Sequence, residues 1–345
     1  MSPSERHHAA PLVAVTTGDP AGVGPEIVAH LFSRHVPERS RAVLVGAPRV
    51  MAPWLERYGL SCPTVTAPDD LAGAAASAGA GVVLLDTGVI DDVPVGADSA
   101  GGGRHAGRAI EVACELARTR AVSAIVTAPI SKKSLNLAGF HYSGHTEMLA
   151  RYLNSPHCQM MMVHENLRVV PLTRHLAIRD VPGRITKEHI VMCMGVVERG
   201  LREDFGIRAP RIAVAGLNPH AGDGGVIGDE ELDVIVPALE ELRARGLEVD
   251  GPIPADAMFQ AAAEAHAAQG GARGAGYDAY VSMYHDQGLV PFKMLAQRRG
   301  VNVTIGLPVP RTSVDHGTAY DIAGRGIAET QSLLAAYKLA EALIR

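Results

Sequence analysis

Short apolar runs alternate with longer amphipathic stretches from one end of the chain to the other. LVAVTTG, RAVLVG, GVVLLDT, AVSAIVT, CQMMMVH, LRVVPLT, RIAVAGL, DAYVSMY and GVNVTIG have strand length, and many end at Gly, Thr or a turn. Between them, residues 106–119, 146–153, 187–204, 229–245 and 331–344 carry helical spacing. Thr186 ahead of Lys187-Glu188-His189 suits an N-cap, and Gly206 and Gly246 suit helix stops. This alternation predicts an α/β fold, a largely parallel sheet covered by helices on both faces. The Ala/Gly-rich stretches 71–81 and 261–276 read as helix ends and connectors, and there is no internal repeat. In such sheets ligands bind outside the carboxyl ends of the strands. The residues that follow each apolar run are therefore the place to look for chemistry.

A length of 345 residues fits two lobes or one large α/β unit. The formal charge of −5, with both signs interspersed, argues against a nucleic-acid groove and a polybasic membrane surface. Cys62, Cys114, Cys158 and Cys193 are far apart and form no C-x-x-C pair, which fits a reducing cytoplasm with buried thiols. MSPSERHHAAP has no apolar signal core, and no run approaches the ~18 apolar residues of a membrane span. The expectation is a soluble cytoplasmic protein with no membrane or nucleic-acid partner. Only 5 of the 32 basic residues are lysines, against 15 histidines, so the histidines were sorted by context.

Three of them share one context. His175 follows RVVPLT, His220 follows RIAVAGLNP and His285 follows YDAYVSMY, each at an expected strand end with acid or glycine nearby. A lone histidine is usually a hydrogen-bonded surface or core residue, but three at equivalent strand ends suggest convergence on a cation such as Zn²⁺. Gly18-Asp19-Pro20-Ala21-Gly22-Val23-Gly24-Pro25-Glu26 follows the first strand and opens a helix. It matches neither G-x-G-x-x-G nor a Walker loop; it suits a tight turn or an anion at the helix amides. Ser143-Gly144-His145-Thr146-Glu147, preceded by Thr127-Ala128-Pro129-Ile130-Ser131-Lys132, suits either a phosphate or carboxylate, or an ordinary cap. Asp315 through Ala328, after Arg311, packs two aspartates, a histidine and glycines into one loop, as if around a polar ligand.

Together these stretches resemble the 4-hydroxythreonine-4-phosphate dehydrogenase family of pyridoxine biosynthesis. The carriers are TGDPAGVGPEI, TAPISK, GHTE, TRHLAIRD, GLNPHAGDGG, GPIPAD, MYHDQG, GVNVTIGLP and RTSVDHGTAYDIAGRG, in family order over residues 13–328. GDPAGVGPEI and HGTAYDIAGRGIA are also similar to loops of isocitrate and isopropylmalate dehydrogenases. The resemblance implies an isocitrate/isopropylmalate dehydrogenase-like α/β/α sandwich of two lobes with a cleft between them. Residues 1–130 plus 300–345 would form the cofactor-side lobe, and 131–299 the metal, substrate and dimerisation lobe. It places metal ligands at His175, His220 and His285, and substrate contacts at His145, Thr146, Lys293, Asn302 and Arg311. It places cofactor contacts at Asp315, His316, Gly317, Asp321 and Gly324. NAD or NADP and a divalent metal are implied, Zn²⁺ first, with Mg²⁺ or Co²⁺ as alternatives. A homodimer sharing its metal sites between subunits is implied as well.

The implied reaction oxidises the secondary alcohol of 4-phosphohydroxy-L-threonine and then decarboxylates it to 3-amino-2-oxopropyl phosphate. Lys293 and Asp256 are the candidates for proton transfer. A rival keeps the chemistry but takes 4-phospho-D-threonate or 4-phospho-D-erythronate, and a dihydrodiol dehydrogenase is a third option. A metal-dependent hydrolase would use the histidines but not the HGTAYDIAGRG loop, and a phosphate acyltransferase needs no such trio. Two features depart from the family: Arg174 stands where T-T-H-L is frequent, and the 261–276 stretch is longer than usual.

Overall fold

A computed structural model describes residues 10–268 and 276–344 and separates them into two compact units. The first unit comprises the chain up to Pro156 and from Leu307 onward; the second runs from His157 to Gly306. These changeovers fall later than the expected 130/131 and 299/300. The reason lies in packing, because Leu135, Met148, Leu149 and Leu153 are buried with the first unit. The last three join its core cluster.

In the first unit the chain lays down β1 (Leu12–Thr16), α1 (Gly24–Arg34), β2 (Arg41–Gly46), α2 (Pro48–Tyr58), β3 (Thr64–Val65) and α3 (Leu71–Ser77). It continues with β4 (Val82–Asp86), α4 (Ala100–Arg118), β5 (Ala124–Thr127), α5 (Lys132–Leu137) and α6 (His145–Tyr152). The second unit holds β6 (Gln159–His164), β7 (Leu167–Pro171), α7 (Lys187–Glu203), β8 (Arg211–Ala215), α8 (Val236–Ala244) and β9 (Glu248–Ile253). It ends with α9 (Ala255–Ala267), β10 (Ala279–Ser282), α10 (His285–Ala296) and β11 (Val301–Ile305). The chain then returns to the first unit as β12 (Arg311–Val314) and α11 (Gln331–Leu343).

The first unit's strands lie in the order β3-β4-β2-β1-β5-β12, and every pairing is parallel. Ala14, Val43, Val45, Val83, Leu85 and Ile125 pack against Ala109, Ile110, Ala113, Leu116 and Ala117 of α4. Strand side chains alternate between faces, and the opposite set, Val13, Val15, Ala42 and Leu44, is equally buried. The expected sheet with two covered faces is thus what forms. The second unit runs β11-β6-β7-β10-β8-β9. β7, β10, β8 and β9 are parallel, whereas β6 is antiparallel to both neighbours. Glu165 and Asn166 close the β6–β7 hairpin with Glu165 at φ 52.

Helix boundaries follow local chemistry. Thr186 caps α7 by accepting from the His189 amide at 3.2 Å, and Gly206 and Gly246 are left-handed at φ 72 and 89. α4 begins earlier than its apolar spacing suggests, because Ser99 Oγ accepts from the Gly102 amide at 3.0 Å. Its glycines are tolerated for a steric reason: a Cβ on Gly103 would stand 1.9 Å from the Ser134 carbonyl oxygen of α5. Residues 261–267, in a stretch expected to hold a helix end and a connector, complete α9. Residues 269–275 of that stretch, and most of MSPSERHHAAP, lie outside the described residues.

Two distant motifs interlock in the first unit. The buried Glu26 carboxylate accepts from the Ala328 amide at 2.7 Å and the Gly326 amide at 3.3 Å. The Val23 amide donates to the Thr318 carbonyl at 2.9 Å, and Tyr320 Oη donates to buried Asp19 Oδ2 at 2.8 Å. Removing a buried acceptor strands its donors, at about 1–3 kcal/mol for each unsatisfied group. Glu26→Ala is therefore expected to destabilise the first unit by about 2–4 kcal/mol, from the same per-group cost. Urea denaturation measures the loss, and hydrogen exchange at Gly326 and Ala328 should accelerate selectively.

Candidate active site

The first unit gathers an anion-binding group. Arg311 opens β12 and is only 1% exposed, a strongly cationic side chain in the interior. Its Nη2 donates to Thr127 Oγ1 at 2.5 Å, and Thr127 Oγ1 donates onward to Ser313 Oγ at 3.0 Å. His145 is the first residue of α6, and its Nε2 is buried with no hydrogen-bond partner. Burial, reinforced by the Arg311 charge, holds the imidazole well below its ordinary 6.5. His145 is thus a neutral ring with an unsatisfied polar nitrogen near a guanidinium. A buried donor left unpaired is costly, so this pair is suited to an anionic ligand. Thr146 follows it in the same first turn.

A second polar cluster surrounds Tyr320. Asp98 accepts from Ser131 Oγ and, at 3.2 Å, from Tyr320 Oη, and lies 3.4 Å from Lys133 Nζ. The Ser131 hydrogen bond, with Tyr320 and Lys133 behind it, holds the Asp98 carboxyl below its usual range. Burial pushes the Tyr320 phenol up to about 12. The cofactor candidates Asp315, His316, Gly317, Asp321 and Gly324 sit on the loop just beyond β12. His316, Gly317, Asp321 and Gly324 are exposed, as residues that meet a ligand from solvent must be. The GDPAGVGPE stretch, for which a turn and an anion site were both open, serves as a turn. Its Gly22 and Val23 amides already donate to Asp19 and Thr318 carbonyls, and Glu26 puts negative charge in the first helical turn.

The second unit arranges the three histidines. β10 lies between β7 and β8, parallel to both, so the three carboxyl ends open side by side on one edge. His175 follows β7, His285 opens α10 after β10, and His220 lies in the loop after β8. The His175 and His285 rings stand 5.8 Å apart. His285 Nδ1 donates to Asp286 Oδ1 at 2.6 Å, which orients the ring and leaves Nε2 as its lone-pair donor.

Among the described residues, this trio does not place three donor atoms within 4.8 Å of one another. His220 begins five successive left-handed residues, at φ 53, 52, 80, 45 and 67 from His220 to Gly224. Non-glycine residues in this region cost about 1–2 kcal/mol each, and surrounding contacts must hold them there. Asn218 supplies those contacts: its amide donates to Glu231 Oε1 at 2.8 Å, and its Nδ2 donates to Glu230 and Glu231 at 2.7 and 2.9 Å.

Gln287 is a positioning residue that sequence reasoning passed over, although MYHDQG contains it. Its Oε1 accepts from the Met283 amide at 2.7 Å and its Nε2 donates to the Gly216 carbonyl at 2.8 Å. It thereby ties the end of β10 to the end of β8. Asp256 is exposed in the first turn of α9, after β9, on the same edge as the histidines. Lys293 is exposed on α10, eight residues beyond His285, or about 12 Å further along the helix axis. Asn302 lies on β11 with its Oδ1 buried and unpartnered.

The chain matches the family model described as pyridoxal phosphate biosynthetic protein PdxA over residues 38–340. It is 42% identical over 334 residues to a 4-hydroxythreonine-4-phosphate dehydrogenase of Caulobacter vibrioides, covering 95% of this chain and 96% of the relative. It is 40% identical over 352 residues to a Bradyrhizobium diazoefficiens protein named provisionally as a D-threonate 4-phosphate dehydrogenase, covering 96% of each. A solved 4-hydroxythreonine-4-phosphate dehydrogenase from Klebsiella pneumoniae superposes with a TM-score of 0.85 at 37% identity, covering 97% of this chain and all of that one.

The lowered His145 pKa sets a pH dependence. The unfolded chain takes up a proton near 6.5 and the folded chain does not, so His145 draws stability down as pH falls below 6.5. Its contribution is up to about 1.4 kcal/mol per pH unit. Urea midpoints measured from pH 7.5 downward should fall less steeply for His145→Gln than for the unsubstituted protein.

Proposed function

Because the chain belongs to the pyridoxal phosphate biosynthetic protein PdxA family, we propose that it oxidises 4-phosphohydroxy-L-threonine with NAD and decarboxylates the product to 3-amino-2-oxopropyl phosphate. It is an oxidoreductase, as its relatives are. The observation that carries the substrate reading is the buried Arg311 beside the neutral, unpartnered His145. Arg311 supplies charge to the substrate phosphate, and His145 and Thr146 supply directed hydrogen bonds. The family resemblance adds Asn302 and Lys293 as further substrate contacts.

The donor chemistry of His175, His220 and His285 fits a divalent metal. Imidazole nitrogens favour Zn²⁺ or Co²⁺ over Mg²⁺, which prefers oxygen, and the Asp286 bond to His285 is a common support for a metal-binding ring. That the three histidines do not bring three donor atoms within 4.8 Å of one another in one chain supports a site completed by a second copy of the chain, in a homodimer. The exposed loop of Asp315, His316, Gly317, Asp321 and Gly324 fits a dinucleotide, with NADP as the alternative to NAD. When bound, the metal polarises the substrate oxygens and the nicotinamide accepts hydride.

The chain's own residues then have separate tasks. Arg311 and His145 anchor the phosphate end, which restricts how the reacting alcohol can be presented. Asp256 or Lys293 takes the alcohol proton. Asp256 stands on the histidines' edge within one chain, whereas Lys293 is about two turns further along α10, so Asp256 is the better-placed acceptor there. Gln287 and Asn218 keep the histidine-bearing loops in place. We infer a cytoplasmic setting from cysteines that are mostly buried and spaced unlike a disulfide framework. The second reading, 4-phospho-D-threonate or 4-phospho-D-erythronate, is favoured by the 40% identity to the Bradyrhizobium protein.

An NAD⁺-reduction assay with added metal compares the three substrates directly. The proposal expects the highest kcat/KM with 4-phosphohydroxy-L-threonine; a preference for either sugar acid selects the second reading. No NADH with any of them, while metal is bound, removes the dehydrogenase assignment of this site. Arg311→Ala should lower kcat/KM by at least about 10²-fold, the ~3 kcal/mol scale of a buried charge-assisted contact. His175→Ala, His220→Ala and His285→Ala should each bind less metal than the unsubstituted protein by elemental analysis.

A further inference from the structure

A different set of metal-type ligands lies at the other edge of the second unit. One donor atom each from His164, Glu165 and His266 falls within 4.8 Å of the other two. His164 ends β6, Glu165 is in the hairpin turn before β7, and His266 is in the last turn of α9. Their position follows from topology. α9 starts at the edge that holds His220 and runs back to precede β10, and β7 begins at this turn and ends near His175. The two histidine groups are therefore separated by roughly the length of a strand, ~17 Å. None of these three residues has a task in the reaction proposed above.

The His266 ring is held as a metal-bound ring is held. His266 Nδ1 lies 2.7 Å from Asn166 Oδ1, and Asn166 Nδ2 donates to the Ala265 carbonyl at 3.4 Å. That second bond fixes which end of the Asn166 amide faces the ring, so Nδ1 carries the proton and Nε2 keeps its lone pair. An oxygen acceptor behind an imidazole is the outer-shell arrangement that raises ligand basicity and fixes ring orientation. The ring centroids are 5.2 Å apart and tilted by 55°, rather than stacked face to face. Glu165 sits at φ 52, a conformation that Asn or Gly adopts more readily, and this places its carboxylate beside the rings.

We propose that His164, Glu165 and His266 form a divalent-metal site of the Zn²⁺ class, separate from the catalytic histidines. Two imidazoles and one carboxylate suit Zn²⁺ and leave a fourth position for water or an external ligand. The bound ion joins the β6–β7 turn to the end of α9, two segments otherwise bridged here by Asn166. Its role is to stabilise this edge of the unit, since the ion binds the folded arrangement and not the unfolded chain.

The test uses the full chain, stripped with chelator and titrated with Zn²⁺ alone, in a His175→Ala/His220→Ala/His285→Ala background. That background is expected to retain about one Zn²⁺ per chain at this site. Adding His266→Ala should abolish that binding, and adding Glu165→Gln, a change at an exposed turn, should weaken it at least tenfold. With Co²⁺ in place of Zn²⁺, the visible bands of a tetrahedral ion should appear in the background and vanish with His266→Ala. In the otherwise unsubstituted protein, His266→Ala should also remove part of the Zn²⁺-induced rise in Tm while NAD⁺ reduction persists. A background that binds no Zn²⁺, or binds it equally with and without His266, overturns the proposal. A background that binds as much Zn²⁺ as the unsubstituted protein leaves this site standing and counts instead against the catalytic histidines.

Discussion

Parallel strands must all be entered from one side, so their carboxyl ends all open on the same edge and each connection has to cross back over a face. That constraint organises both units. In the second it aligns the ends of β7, β10 and β8, and with them the loops bearing His175, His285 and His220. The crossing helices bury the strands on both faces, which is why Ala213, Val214 and Val281 are all fully or almost fully inaccessible. Where the second unit breaks the pattern, at the antiparallel β6–β7 hairpin, the chain turns at the opposite edge. His164, Glu165 and His266 are found there, and nowhere near the reaction assigned to the other edge.

In the first unit buried carboxylates tie the carboxyl-edge loops to one another. Glu26 and Asp19 come from the first fifty residues, while their donors Ala328, Gly326 and Tyr320 come from the last thirty. Each acid in the interior is matched by hydrogen-bond donors, which offsets the cost of desolvating it. Gly22 and Gly24 allow the close approach. A Cβ on Gly22 would meet the Thr318 carbonyl at 2.6 Å, and one on Gly24 would meet the Thr17 carbonyl at 2.3 Å. The 315–326 loop is thereby given a fixed shape before any ligand arrives, while its His316 and Asp321 side chains stay exposed. Arg311, just upstream, is stationed in the same unit by Thr127.

Much of this was legible in the residues. Thr186, Gly206 and Gly246 mark helix ends through local backbone chemistry, and the strand runs are nearly all where the apolar pattern puts them. His145, Arg311 and the three strand-end histidines stood out because each sits in a dense polar motif after an apolar run. Gln287, Asn218 and Glu231 were not legible as positioning residues. Their partners, Gly216, Met283 and the 218–231 loop, are fixed by how β8, β10 and their loops come together, and no local pattern marks them. The 146–153 spacing predicted a helix but not its unit, because Met148 and Leu149 could have packed on either core.

The amino-acid sequence by itself determined the α/β class, the alternation of strands and helices, the family and the short list of chemical residues. These rest on periodicity, turn chemistry and dense motifs, all of which are local along the chain. Only the tertiary structure decided that Glu26 clasps the loop near Ala328, that His145 is neutral beside Arg311, and that the His175 and His285 rings stand 5.8 Å apart. It alone brought His266 to His164 and Glu165 across about a hundred residues. Such juxtapositions depend on strand order and on which helix crosses which face, and contacts between distant segments leave no periodic trace in either segment.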